Sequence, residues 1–204
     1  PAAARDRRIP ITAQGGLGTH GECRRLLEHY GLDGTGWASP FLLVPEATAL
    51  DRPTRERLAA SGPEELVLSD ASPLGIKFNL LRTSTAEQGR VDRIHDGAPG
   101  SRCPKGFLAL DSGFPGRPRC RASREYQELR LAELGHQRPP AADCPDPAVQ
   151  ELYAKACICH ELGNGALLDL GLTTKELPVL VCPGPNTASF DRLYELEEMV
   201  DHIY

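Results

Sequence analysis

The stretch Ile9-Pro10-Ile11-Thr12-Ala13-Gln14-Gly15-Gly16-Leu17-Gly18-Thr19 decides the reading of this chain, because a short apolar run passes straight into a glycine loop. Residues 9–13 predict a buried strand. Residues 22–30 predict a helix, with Cys23, Leu26, Leu27 and Tyr30 recurring at i, i+3, i+4 and i+7, the stripe that lays a crossover helix on a sheet. Gly31 is placed to close that helix in the left-handed conformation, and residues 32–37 predict a second strand. Strand, helix and strand at this spacing make a βαβ unit with parallel strands.

Glycines between a parallel strand and a helix let backbone amides turn toward an anion, and the helix start adds the positive end of its dipole. The same glycines also suit a tight βα turn that binds nothing, and their spacing leaves both readings open. The second strand supplies context. Asp33-Gly34-Thr35-Gly36-Trp37-Ala38-Ser39 ends in small residues where a second backbone segment can approach the same anion. In a (β/α)8 barrel the loops after the last two strands commonly grip a phosphate in this way. Ala13, Gln14, Gly15 and Gly16 on one loop, with Gly36, Trp37, Ala38 and Ser39 on the other, are the candidate cofactor-binding residues.

These residues carry a resemblance. With Gly15-Gly16, Asp33-Gly34 and Ala38-Ser39 ahead of Phe41, residues 9–42 resemble the last two βα units of the FMN-dependent barrels of the nitronate monooxygenase (2-nitropropane dioxygenase-like) family. Pro45-Glu46-Ala47, a helix over 54–60, and Val67-Leu68-Ser69 ahead of Gly75 and Asn79 extend the similarity to about residue 82, through the family's closing segment. The departures are Gln14 where the family more often has Ala, Ala38 for its usual Gly, Ser39 for Thr and Pro40 for a frequent Arg. The resemblance implies an α/β chain carrying the C-terminal βα units of a (β/α)8 barrel, followed by a loop-rich, cysteine-containing, mostly helical extension. It implies an FMN-dependent oxidoreductase of the monooxygenase-like class acting on a small molecule, with the 5'-phosphate held by backbone amides at Gly15, Gly16, Ala38 and Ser39. The family's catalytic His has no matching motif here, the catalytic residues stay unknown, and His20 reads as a solvent-facing or capping residue. Such a barrel needs about 250 residues, so the remaining strands are expected in a missing N-terminal portion of the same polypeptide or in a partner chain.

Composition bounds the alternatives. The chain has 204 residues, 23 basic against 28 acidic, for a net charge of −5, which offers no field for a phosphate backbone; nucleic acid is disfavoured as a partner. The basic cluster at Arg5, Arg7 and Arg8 is short. Gly (20) and Pro (18) are plentiful and aromatic residues make up only 5%, which argues against a dense helical bundle. Apolar runs such as residues 41–44 are far short of the roughly 18–20 residues of a membrane span. The opening residues 1–8 lack the apolar middle of a secretory signal and a cytoplasmic location is expected, while the start at Pro1 suggests a cut or processed end of something longer.

The texture changes near residue 85, dividing a barrel-like portion, residues 1–85, from a cysteine-rich loop and helix extension, residues 86–204. Helices are predicted over 53–60, 123–134, 147–162 and 194–204, with a short extended piece over 66–68 and loop over 97–106. The last helix carries Leu196, Met199, Val200 and Ile203 on one side, a stripe that docks, and acids on the other. Asn164 and Asn186 fall in Gly- and Pro-rich sequence that reads as turns. Seven cysteines are an odd number for a disulfide framework. Cys157, Cys159 and Cys182, with Cys103 or Cys120 as a fourth, are the candidate ligands of a zinc ion or iron-sulfur cluster. Buried or isolated thiols are the plainer reading, since the Cys-x-Cys pair points to different sides of a regular helix and suits one metal only if the helix breaks there. Two other classes of function therefore stand beside the flavoenzyme: a non-catalytic metal or iron-sulfur module, and an assembly subunit that wraps a partner.

Overall fold

The computed structural model describes residues 8–204; Arg5 and Arg7 lie outside the described residues. Strands β1 (Thr12–Gln14) and β2 (Gly34–Gly36) pair in parallel, with Thr12 opposite Gly34 and Gln14 opposite Gly36. Helix α1 (His20–Arg24) crosses between them and widens into a π-helical turn over Arg25–His29, and Gly31 follows at φ +65°. Thr19 starts α1 with a capping box to Glu22. The βαβ unit is present, but the expected buried strand over 9–13 is corrected. Pairing begins only at Thr12, Pro10 has no N–H to give a ladder, and Ile9 and Ile11 are 81% and 63% exposed. Of the helical stripe only Cys23 is buried, while Leu27 and Tyr30 face outward.

A second sheet pairs β3 (Leu66–Ser69) with β4 (Phe78–Leu81) antiparallel, Leu66 opposite Leu81. The strands of the described residues form these two two-stranded sheets, so the chain is a mixed α/β fold with many helices and few strands; no closed barrel exists among the described residues.

Helix α2 (Arg52–Ala59) begins as its sequence dictates: Pro53 sits in the first turn, and the Asp51 carboxylate accepts the Thr54 N–H at 3.1 Å. Removing that cap by Asp51→Ala should cost about 1 kcal/mol of stability, read as a lower denaturant midpoint at unchanged slope. Helix α3 (Thr85–His95) fills a stretch in which the sequence suggests no helix; Ser84 caps it, and Ala86 and Ile94 bury its inner face. Helix α4 (Arg124–Glu133) starts at its Ser123 cap as expected. The single helix expected over 147–162 is in fact two, α5 (Pro147–Ala154) and α6 (Ile158–Asp169). Between them Lys155 donates to the Asp70 carbonyl at 3.0 Å and Ala156 donates its N–H to Ala71 at 2.8 Å, long-range bonds that pull the backbone out of helix. Asn164 is also corrected. It lies inside α6, fully buried, and donates to the Pro178 carbonyl at 2.7 Å.

Helix α7 (Leu196–Ile203) docks through Met199 and Ile203, while Leu196 and Val200 stay partly exposed. Met199 and Ile203 belong to a core with Leu43, Val44, Leu50, Leu58, Leu81, Val179, Val181 and Phe190, which draws on residues before and after 85. No helix of the described residues is long and apolar enough to cross a membrane.

Candidate functional site

Because β1 and β2 are adjacent and parallel, their C-terminal ends deliver the glycine loop and the Ala38-Ser39 bend side by side. Gly15 and Gly16 both take positive φ, +89° and +72°, where an L side chain is strained, and the space in which a Cβ would stand at either is open. Ala38 is exposed. The first loop is therefore a cradle with room in front of it.

Other candidates are committed to neighbours. Gln14 lies across Gly36, so closely that a Cβ on Gly36 would stand 2.5 Å from its Cγ. Ser39 opens a short 3-10 turn over Ser39–Leu43, and its Oγ accepts the Gly184 N–H at 2.7 Å. Trp37 packs edge-on to His202, with its indole N–H buried and unpartnered among the described residues. Ala13 is half-buried in β1.

The start of α1 does not hold out free donors as the sequence suggests. The Glu22 carboxylate takes the Gly18 N–H at 2.9 Å, the Thr19 N–H at 3.0 Å and the Thr19 hydroxyl at 3.0 Å. Those bonds, the Gly18 amide first, hold its pKa below the ordinary carboxylate value. A built-in carboxylate already occupies the place an external anion would take at this helix terminus, which leaves Gly15-Gly16 and the second bend as the open part of the site.

The segment that follows Cys182 covers the back of these loops, a role the sequence did not disclose. Asn186, in a 3-10 turn over Pro185–Ser189, donates to the Leu17 carbonyl at 2.6 Å, and its Oδ1 is buried without a partner among the described residues. A Cβ on Gly18 would stand 2.7 Å from Ser189 Oγ, so a side chain there would have to turn the Ser189 hydroxyl aside. Helix α7 completes the seal: His202 Nε2 lies 2.8 Å from the Gly18 carbonyl, and His20 Nδ1 lies 3.0 Å from the Ile203 carbonyl. His20 thus caps the end of α7, one of the two roles its position suggested.

The cysteine candidates separate. Among the described residues no three His, Cys, Asp or Glu side chains converge as a finished metal centre, so the set Cys103, Cys157, Cys159 and Cys182 is not assembled. All seven cysteines are free thiols. Cys182 is exposed, just ahead of the 3-10 turn over Pro185–Ser189. Beside Cys157, Glu161 is a buried carboxyl that sequence reasoning passed over; burial pushes its pKa up to about 7 against the opposing pull of Arg93, whose Nη2 is 3.9 Å away.

No family profile matches the sequence, and no curated protein matches it. Among solved structures, the enoyl reductase domain of MlnA from the macrolactin biosynthesis cluster from Bacillus amyloliquefaciens is similar at a TM-score of 0.49 and 17% identity, the match covering 97% of this chain and 47% of that one. The chain spans about half the length of that structure.

Proposed function

We propose that this chain supplies the FMN phosphate-binding end of a flavin-dependent oxidoreductase of the nitronate monooxygenase-like class. One observation carries the reading: two parallel strands end side by side, and one of them opens into a positive-φ glycine pair with free space before it. Main-chain groups at Gly15, Gly16 and Ala38 would hold the phosphate; Ser39 contributes its backbone, since its hydroxyl serves Gly184. FMN, when bound, supplies hydride or electron transfer through its ring system. The chain's own residues fix the cradle: Asn186, His202 and Glu22 hold the backbone of residues 17–19 from behind. The rest of the barrel belongs to another part of the same polypeptide or to a partner chain, packing where Ile9, Ile11 and Leu27 stand exposed.

The assembly carrying those strands should be yellow and release FMN on denaturation. Gly16→Ala places a methyl in the cradle and strains a φ of +72°, and should weaken FMN about tenfold in a fluorescence titration, while Gly21→Ala, in open helical surroundings, should leave it unchanged. A colourless assembly that takes up no FMN, or flavin affinity indifferent to Gly16→Ala, overturns the reading.

A further inference from the structure

The loop over 101–123 is tied to itself at two levels. The Ser101 N–H donates to the Ala122 carbonyl and the Arg124 N–H to the Ser101 carbonyl, both at 2.9 Å, which sets the start of the loop beside the start of α4. Farther out, Asp111 and Arg119 exchange backbone bonds at 2.9 and 2.8 Å. The two arms of the loop and the first turn of α4 border a cavity of about 520 Å³, a size that holds a small molecule. Its charge runs against that of the molecule. Arg102, Arg117, Arg119 and Arg124 line it with Glu125 and Glu128, four cations to two anions, in a chain of net charge −5.

Three of these guanidinium groups are held in place. Glu125 divides its carboxylate between two of them, Oε2 accepting from Arg117 Nη2 at 2.7 Å and Oε1 from Arg119 Nε at 2.8 Å. Arg119 Nη1 donates to the Pro115 and Arg117 carbonyls at 3.2 and 2.9 Å, and Arg124 Nη2 to the Ala98 carbonyl at 3.0 Å. Each bond fixes part of a planar five-donor fork and leaves other N–H groups unspent. The helix start adds to them. The Arg124 and Tyr126 N–H groups go to the Ser101 carbonyl and to Ser123 Oγ. That of Glu125 is left without a partner among the described residues, at the positive end of the α4 dipole.

The excess of positive charge and the spread of donors suit a dianion with several acceptor oxygens. A carboxylate is too small for them: both oxygens of Glu125 are already taken, one by each of two arginines, and donors remain. A phosphate monoester carries about −1.5 to −2 charges and three acceptor oxygens, which forked guanidinium groups and a helix start recognise together. Pro104, Ala109 and Pro118 give the same cavity an apolar wall. We propose that it binds a small organic phosphate, with the phosphoryl group on Arg102, Arg117, Arg124 and the start of α4, and the apolar body against that wall. None of its lining residues belongs to the glycine loop, so the site stands or falls apart from the flavin cradle.

Phenyl phosphate is the probe, and the cavity carries its own reporter. Cys103 borders it, whereas the exposed Cys182 does not. Phenyl phosphate should therefore slow alkylation of Cys103, followed by peptide mass spectrometry, and leave Cys182 unchanged. Half-protection should come below about 1 mM, with about tenfold more needed of benzoate, of the singly charged phenyl sulfate or of inorganic phosphate, which has no apolar body. Arg102→Gln with Arg117→Gln, at two exposed positions that no core depends on, should raise the phenyl phosphate requirement about tenfold or more. Arg52→Gln on α2 and Gly16→Ala in the flavin cradle should not. The proposal is overturned if about 10 mM phenyl phosphate leaves Cys103 unprotected, or if the double arginine variant is protected like the unmutated chain. Equal protection by benzoate or phenyl sulfate overturns the dianion, and equal protection by inorganic phosphate overturns the organic ligand.

Discussion

Truncating Met199 to Ala should cost the fold about 3 kcal/mol, whereas Val200→Ala on the same helix should cost less than about 1 kcal/mol. Met199 is fully buried, and Val200 is 39% exposed. The deleted atoms of Met199 leave a hole in a core shared with Leu43, Val44, Leu50, Leu58, Leu81, Val179, Val181 and Phe190, whose close packing relaxes only partly into it. The consequence reaches the site. Helix α7 carries His202 onto the Gly18 carbonyl and receives His20 on its own last carbonyls, so a loosened α7 withdraws support from the glycine loop. Urea unfolding of both variants checks the energies, and flavin retention in the assembly checks the link: it should fall with Met199→Ala and hold with Val200→Ala. Equal midpoints for the two variants would mean that α7 is held by its exposed edge, against its packing.

Local chemistry was legible in the sequence, and long-range contacts were not. Glycine punctuation and apolar period found the βαβ unit, and the helices expected over 53–60 and 123–134 correspond to α2 and α4. Helix α3 escaped because Gly89 sits in its middle and few apolar residues mark its face; Ser84 followed by Glu87 three residues on was the available signal. The break between α5 and α6 has no local breaker at all, since residues 155–157 are Lys-Ala-Cys, and it is imposed by bonds to Asp70 and Ala71 more than eighty positions away. Asn164 between two glycines read as a turn for the same reason: Gly165 is glycine to admit Leu50, whose Cδ1 would lie 2.6 Å from a Cβ there. At the site, the glycine pair and the parallel strand ends were foreseen. Glu22 closing on the α1 amides was readable as a Thr-x-x-Glu box, Thr19 to Glu22, and passed unused. Asn186 beneath Leu17, across 169 positions, was beyond any local pattern.

Gly100→Ala should destabilise the chain by about 3 kcal/mol, and Gly97→Ala by only about 1 kcal/mol. Both glycines have positive φ, +79° and +67°, so each substitution carries the strain of a left-handed L residue. At Gly97 that strain is the whole cost, because a Cβ meets nothing within 4 Å. At Gly100 the same Cβ stands 2.7 Å from the Arg124 N and Cα and 2.9 Å from the Ser123 carbonyl carbon. These are backbone atoms that cannot rotate aside, so two main chains must part. The parting falls on the bridge between Ser101 and Ser123, where the loop after Gly100 is tied to the start of α4. The two variants should therefore differ in denaturant midpoint, Gly100→Ala unfolding at the lower urea concentration. If both variants shift the midpoint equally, the close approach of residues 100 and 124 is absent in solution.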